Sequence, residues 1–353
     1  MFLAQASFPS IHVFDFFAGP GTDAQGSAGS PLIIKEELEQ CLRAKNVTRA
    51  PGIEVTLHFN DKDCASIQRL QELCSTAGIG DLNYKLAFTC LPFASAFTEA
   101  LPTLQERSTA NLVLIDQFGL KEVSEHVFRL LMECQTTDVL FFISSSHIRR
   151  FISEQVVRKY FPSAEPSIRG SGAKDVHRAV CNEYRKLIPP DREYYLAPFS
   201  IEKERNPNIY GIVFGTSNLL GLQKFLTVCW SKDEITGEAN YNIDQDPVRE
   251  KQRELFEEYN VVKKQDAFAR NLETYLKDGE PDNRQVYRFV LEGGFLPKHA
   301  NAILKRLQHE GRFEVTDIRT GTEARRGAFY LSYKQYNDVP LVRFSMRKNS
   351  HGR

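Results

Sequence analysis

Five short apolar runs, the first four each followed by a stretch with apolar residues at helical spacing, leave this chain few folds to choose from. The runs are residues 11–17 (IHVFDFF), 53–59 (IEVTLHF), 84–89 (YKLAFT), 111–116 (NLVLID) and 138–143 (DVLFFI). Helical spacing follows in 31–45, opened by Pro31, and in 64–77, 93–104 and 122–133. Strands that are apolar throughout and alternate with helices predict a mostly parallel sheet with helices on both faces. A strand over 209–214 (IYGIVF) and a helix reaching Trp230 extend the pattern, and the lone tryptophan is assigned to the core.

The C-terminal part has a different pattern. Residues 284–292 and 298–310 read as two helices, closed by Gly293-Gly294 and Gly311. Residues 313–318 and 327–333 read as two strands around a polar tip at 319–326. Helix, turn, helix and β-hairpin is the order of a winged helix-turn-helix. The expected division is an α/β Rossmann-like domain over 1–245, a charged helical connector over 246–281 and a winged-helix domain over 282–353. A length of 353 residues suits about two domains.

Lys plus Arg and Asp plus Glu each total 45, which excludes an overall basic coat but leaves room for a local basic patch. Cys41, Cys64, Cys74, Cys90, Cys134, Cys181 and Cys229 are scattered and form no CxxC pair. This predicts free thiols in a reducing cytosol and no metal site. The opening MFLAQASFPS lacks a basic leader region, and no apolar run approaches the roughly 18 residues of a membrane span. The expectation is a soluble, cytoplasmic protein.

Ligands of open α/β sheets bind beyond the carboxyl ends of the strands. Those ends carry Asp15, then the turn Phe17-Ala18-Gly19-Pro20-Gly21; Asp61 and Asp63; Cys90; and Asp116-Gln117-Phe118. A glycine turn after the first strand lets the backbone approach a cofactor closely. A helix start nearby favours an anionic group such as the carboxylate of S-adenosylmethionine. An acid after the second strand binds ribose hydroxyls in nucleotide-type sites, which nominates Asp61 first and Asp63 second. The alternative is that the two acids cap the next helix. Asp116 and Phe118 are candidates to face an exocyclic amine and its base, with Gln117 standing where a proline is expected. His147-Ile148-Arg149-Arg150 reads mainly as the solvated face of a helix. Lys298, Lys305, Arg306, Arg319, Arg325 and Arg326 fall on the second C-terminal helix and the hairpin tip, which places them as candidates to meet nucleic-acid phosphates. The alternative is a solvated face with a protein-binding role.

Four stretches together resemble the three-Cys-motif partner proteins (TcmP). They are DFFAGPG with GSAGSPL, IDQFG, the segment 208–244, and 286–311. The resemblance covers nearly the whole chain. It implies a methyltransferase-like fold, S-adenosylmethionine as cofactor, and a partner with a three-cysteine, radical-SAM-like motif. Two departures are Gln117 for the family's usual proline and the absence of a helical segment before the glycine turn. The function expected is S-adenosylmethionine-dependent and methyltransferase-like, in nucleic-acid modification (DNA or RNA) or phage-host conflict. The alternative is an inactive scaffold or ligand sensor whose winged helix binds nucleic acid or a partner protein.

Overall fold

The computed structural model describes residues 8–44, 53–76, 84–116, 124–152, 168, 176–203, 206–237, 241–242 and 264–347. The first five strands are β1 (Ser10–Asp15), β2 (Glu54–Asn60), β3 (Lys85–Thr89), β4 (Thr109–Ile115) and β5 (Thr137–Ile143). They alternate with α1 (Ser30–Arg43), α2 (Cys64–Thr76), α3 (Phe93–Gln105) and α4 (Glu125–Glu133). Next come α5 (Ser145–Phe151), α6 (Val176–Lys186), β6 (Tyr195–Lys203) and β7 (Asn206–Thr216).

The strands lie in the order β3-β2-β1-β4-β5-β7-β6. The first five are parallel, and β7 runs antiparallel to β5. This is a mostly parallel, Rossmann-like sheet, as the alternating pattern predicted, in the methyltransferase-type order that the resemblance implied. The chain winds outward from β1 to β3, then crosses back to β4, so the crevice between β1 and β4 is the switch point of the sheet. Leu57, Val113, Ile115, Phe141 and Ile143 are wholly buried, because helices cover both faces. One face packs Ile11, Val55, Leu57 and Phe59 against Leu70 and Cys74 of α2. The other packs Phe14 and Phe16 against Phe93 and Phe97 of α3.

Local chemistry sets the helix starts. Pro31 occupies the first turn of α1, where its missing N–H is no loss. The Ser124 side chain accepts from Val127 N at the start of α4. The serine run after β5 opens α5, where buried Ser145 Oγ lies 2.7 Å from His177 Nδ1 of α6. Sequence reading assigned neither α6 nor β6. Pro198 within β6 argues against a strand by composition, but prolines are tolerated toward sheet edges.

By contacts the chain divides into two compact units, Met1–Ser200 with Asn208–Ser217, and Ile201–Pro207 with Asn218–Arg353. The second unit therefore takes in α7 (Leu219–Lys232), upstream of position 245. It also holds α8 (Lys264–Asp278), α9 (Asn283–Glu292), α10 (Pro297–His309), β9 (Phe313–Asp317), α11 (Tyr333–Tyr336) and β10 (Val342–Met346). Short β8 (Tyr241–Asn242) pairs with Ile201 and Glu202. Trp230 is buried, and its indole N–H donates to Gly294 O at 2.9 Å. Asp282 and Gln285 form a reciprocal capping box at the start of α9.

The hairpin partner differs from expectation. β9 pairs antiparallel with β10, and residues 327–333 form no strand. Gly327 and Tyr330 hold positive φ of 76° and 52°, which interrupts an extended run there. Buried Asn283 reaches Tyr330 O and accepts from Leu341 N, drawing the later segment beside β9. In that segment Val342 and Phe344 alternate with exposed Arg343, the two-residue period a strand needs. No helix among the described residues is long and apolar enough to cross a membrane.

Candidate functional site

The loops leaving β1 and β2 converge, and Asp116 at the end of β4 lies near enough to act on Asp15. Asp15 ends β1 and is 1% exposed. Its carboxylate accepts from Ser30 Oγ at 2.6 Å and from Phe17 N at 3.2 Å. Burial pushes its carboxyl up to about 6, against those two hydrogen bonds, and nearby Asp116 and Asp61 add to the rise. Asp15 is therefore sealed beneath the turn, tying β1 to the first residue of α1, and does not face the cleft. That corrects the expectation that it contacts a cofactor directly.

Gly19 and Gly21 both hold positive φ, 60° and 84°. Their surroundings differ. A Cβ on Gly21 would come within 2.8 Å of Leu70 Cδ1, whereas one on Gly19 would meet nothing within 4 Å. Gly21 serves close packing against α2; Gly19 presents bare backbone to open space. Phe17 stacks on Phe93 at 5.4 Å, and buried Ala18 donates its N–H to Asn60 O, so both shape the turn from behind.

Half-buried Asp61 follows β2. Its Oδ2 accepts from Gly19 N at 3.0 Å and its Oδ1 from Asp63 N at 2.9 Å. Asp63 is exposed and caps α2, accepting from Ala65 N, Ser66 N and Ser66 Oγ. Those hydrogen bonds, the Ser66 hydroxyl first, hold its carboxyl below the usual range. The capping alternative thus describes Asp63, while Asp61 belongs to the glycine turn.

Sequence reasoning missed Asn60. It is 4% exposed and donates through Nδ2 to Phe16 O and Leu91 O, at 3.2 and 3.0 Å. Its Oδ1 accepts from Thr89 Oγ1 and Leu91 N. One amide thereby fastens together the ends of β1, β2 and β3. The available signal was an asparagine closing an apolar strand, since such a buried amide must find partners.

Asp116 follows β4 at the exposed rim, and withdrawal of water by the surrounding protein raises its carboxyl above the ordinary range. Gln117 and Phe118 lie outside the described residues. Cys90 corrects the thiol expectation. It is disulfide-bonded to Cys64, with Cα atoms 5.2 Å apart, so its sulfur is not free to meet a cofactor. Parallel register sets Asn60 beside Thr89, which brings the two following loops together, so that Cys64 and Cys90 meet although they lie 26 apart in sequence. Cys41, Cys74, Cys134, Cys181 and Cys229 are not disulfide-bonded.

In the second unit, Lys298, Lys305, Arg319, Arg325 and Arg326 are exposed. Lys298, Ala302, Lys305 and His309 form one exposed stripe on α10. Gly327 N donates to Gln308 Oε1 at 3.1 Å, and Lys305 Cε lies 4.0 Å from a Cβ built on Gly327. The α10 stripe and the Arg325-Arg326 loop are thus neighbours. Arg306 faces elsewhere: its guanidinium lies 3.7 Å from Glu273 and 3.9 Å from Glu310. Those two carboxylates are competing partners for its charge.

Strand order and register define the first unit as a methyltransferase-type α/β sheet, and the second carries a winged helix-turn-helix. Residues 241–317 match the GMT-like wHTH domain family. No curated protein matches the chain. Among solved structures, the chain is similar to a SAM-dependent methyltransferase from Methanosarcina mazei at 10% identity, with a TM-score of 0.27, covering 58% of this chain and 90% of that one. It is also similar to P. horikoshii TYW2, solved in complex with MeSAdo, at 9% identity and a TM-score of 0.25, covering 60% of this chain and 59% of that one.

Proposed function

We propose that the protein binds S-adenosylmethionine over the turn after β1 and acts as a methyltransferase-like enzyme on nucleic acid in the cytoplasm. One observation carries this reading: bare Gly19 backbone and the Asp61 carboxylate stand side by side at the sheet's switch point. The donor set fits the group. The open space over Gly19 leaves its backbone approachable by a ligand, and each Asp61 oxygen keeps a lone pair for a ribose hydroxyl. Asp61 and Asp116 also make the cleft acidic. That field repels a pyrophosphate and attracts the cationic sulfonium and ammonium of S-adenosylmethionine.

When bound, the cofactor supplies an activated methyl group. Asp61 would orient its ribose and the Gly19 turn would carry its amino-acid end. Asp116, at the rim after β4, would accept hydrogen bonds from an exocyclic amine, with Phe118 stacking on the base. The protein's chief contribution would be alignment of nucleophile and methyl group. Lys298, Lys305, Arg319, Arg325 and Arg326 would meet phosphates. The three-Cys-motif family, its radical-SAM-like partner and a role in phage-host conflict rest on the four resembling stretches.

Titration calorimetry with S-adenosylmethionine and S-adenosylhomocysteine tests the cofactor site. Saturable binding that Asp61→Ala abolishes supports it. A folded protein that binds neither compound favours the second reading, an inactive scaffold or ligand sensor that works through its winged helix. The internal bonds already made by both Asp61 oxygens favour that alternative.

A further inference from the structure

The disulfide between Cys64 and Cys90 joins two loops that the candidate cleft depends on. Cys64 opens α2, three positions after Asp61. Cys90 directly follows β3 and precedes Leu91, whose N–H and C=O are both held by Asn60. The bond therefore clasps the loop that carries Asp61 to the loop that Asn60 anchors.

Its setting is unlike that of a core staple. Cys64 is exposed and Cys90 half-buried, while Cys74, Cys134, Cys181 and Cys229 are buried and in no disulfide. β2 and β3 are already joined by a five-residue parallel register from Thr56 and Lys85 to Asn60 and Thr89, so the sheet does not need the link. An exposed disulfide is open to attack by external thiols, and such bonds are the labile, regulatory ones. In a thiol-rich compartment, paired cysteines usually act as redox sensors.

We propose that Cys64 and Cys90 form a reversible thiol–disulfide switch that sets the order of the cleft rim, with the disulfide as the state that binds the cofactor more tightly. The link to cofactor affinity rests on the function proposed above; the switch itself does not. The oxidant is glutathione disulfide or another low-molecular-weight disulfide. The Cys64 thiolate attacks one of its sulfurs, forming a mixed disulfide and releasing one glutathione thiolate. The Cys90 thiolate then attacks Cys64 Sγ and displaces the second glutathione. Two electrons pass from the protein dithiol to glutathione disulfide, and the two thiol protons end on the two glutathiones released. Reduction by a dithiol runs the sequence backward. With the bond closed, the Asp61 loop is held in the position that accepts the Gly19 N–H, so less order is lost when a ligand binds.

The test uses the full-length protein equilibrated over a range of glutathione to glutathione disulfide ratios. Free thiols are alkylated and the protein is read by intact and peptide mass. Amide hydrogen exchange is followed at 61–66 and 89–92, and S-adenosylhomocysteine affinity is measured by calorimetry. The expected result is a two-electron transition confined to Cys64 and Cys90. Exchange at both loops should be faster in the reduced form, with affinity lower by about five- to tenfold. Cys64→Ser/Cys90→Ser should behave as the reduced form at every ratio, and Cys41→Ser should behave as wild type. A pair that stays oxidised or stays reduced at all ratios overturns the switch, as does loop exchange that ignores its state. Equal affinity in both forms, with unchanged exchange, removes the switch and leaves the cofactor site standing. No binding in either form, with exchange that follows the bond, removes the cofactor reading and leaves the switch standing.

Discussion

The backbone N–H of Gly19 donates to Oδ2 of Asp61 across 3.0 Å, linking the turn after β1 to the loop after β2. One carboxylate thus braces the turn and the start of the following loop. Asp61→Ala is expected to weaken S-adenosylhomocysteine binding at least about tenfold, because a charged hydrogen-bond acceptor contributes roughly 1.5–3 kcal/mol. Asp61→Asn keeps one acceptor oxygen and should fall between. Calorimetry on both variants, with melting curves to establish folding, checks the order.

The two glycines of the turn separate stability from binding. Gly21→Ala places a methyl group 2.8 Å from Leu70 at a positive φ of 84° and should lower stability by roughly 2–3 kcal/mol. Gly19→Ala meets no neighbour within 4 Å, so only the left-handed backbone, about 1–2 kcal/mol, opposes it. Its methyl group would nevertheless stand where the proposed ligand approaches the backbone. Denaturant melts should rank Gly21→Ala as the less stable variant, while ligand binding should be lost in Gly19→Ala even at temperatures where it is folded.

Asp15 makes stability depend on pH. Its carboxyl sits at about 6 in the fold, against an ordinary 3.8. Between those values the folded protein holds more protons than the unfolded chain, so this contribution to stability falls as pH rises through the window. Asp138, raised to about 6 by burial, acts in the same direction. His58, pushed down to about 4 by burial, acts in the opposite one. The difference between wild type and Asp15→Asn isolates the carboxyl. Relative to wild type, the variant should gain stability on the order of 2 kcal/mol between pH 4.5 and 7.5. Equal pH profiles for the two proteins would refute the assignment.

On the winged helix, Lys305 and Arg306 are sequence neighbours with different commitments. Lys305 stands beside the Arg325-Arg326 loop, whereas Arg306 is engaged by Glu273 and Glu310. Lys305→Ala and Arg326→Ala should each weaken DNA or RNA binding and lower the slope of log affinity against log salt by about 1. Arg306→Ala should leave that slope unchanged. Fluorescence anisotropy across a salt series distinguishes the three.

The composition of individual segments settled much of this protein. Apolar runs such as NLVLID and DVLFFI can satisfy their side chains only inside a sheet covered on both faces, and Gly19 and Gly21 announce a turn that other residues resist. The first five strands, the four helices between them, the candidate turn and the two C-terminal helices were therefore legible from local pattern. Partner choice was not local. Whether 327–333 or 342–346 pairs with β9 depended on Asn283, which acts across 58 positions on Leu341. Asp15 and Asp61 look alike as acids at strand ends, yet only the packed structure seals one under Ser30 and turns the other toward Gly19. Cys64 and Cys90 met because parallel register aligned their loops. Hydrogen bonds and disulfides between distant segments are paid for by the folding of everything around them, so no window of sequence contains their energy.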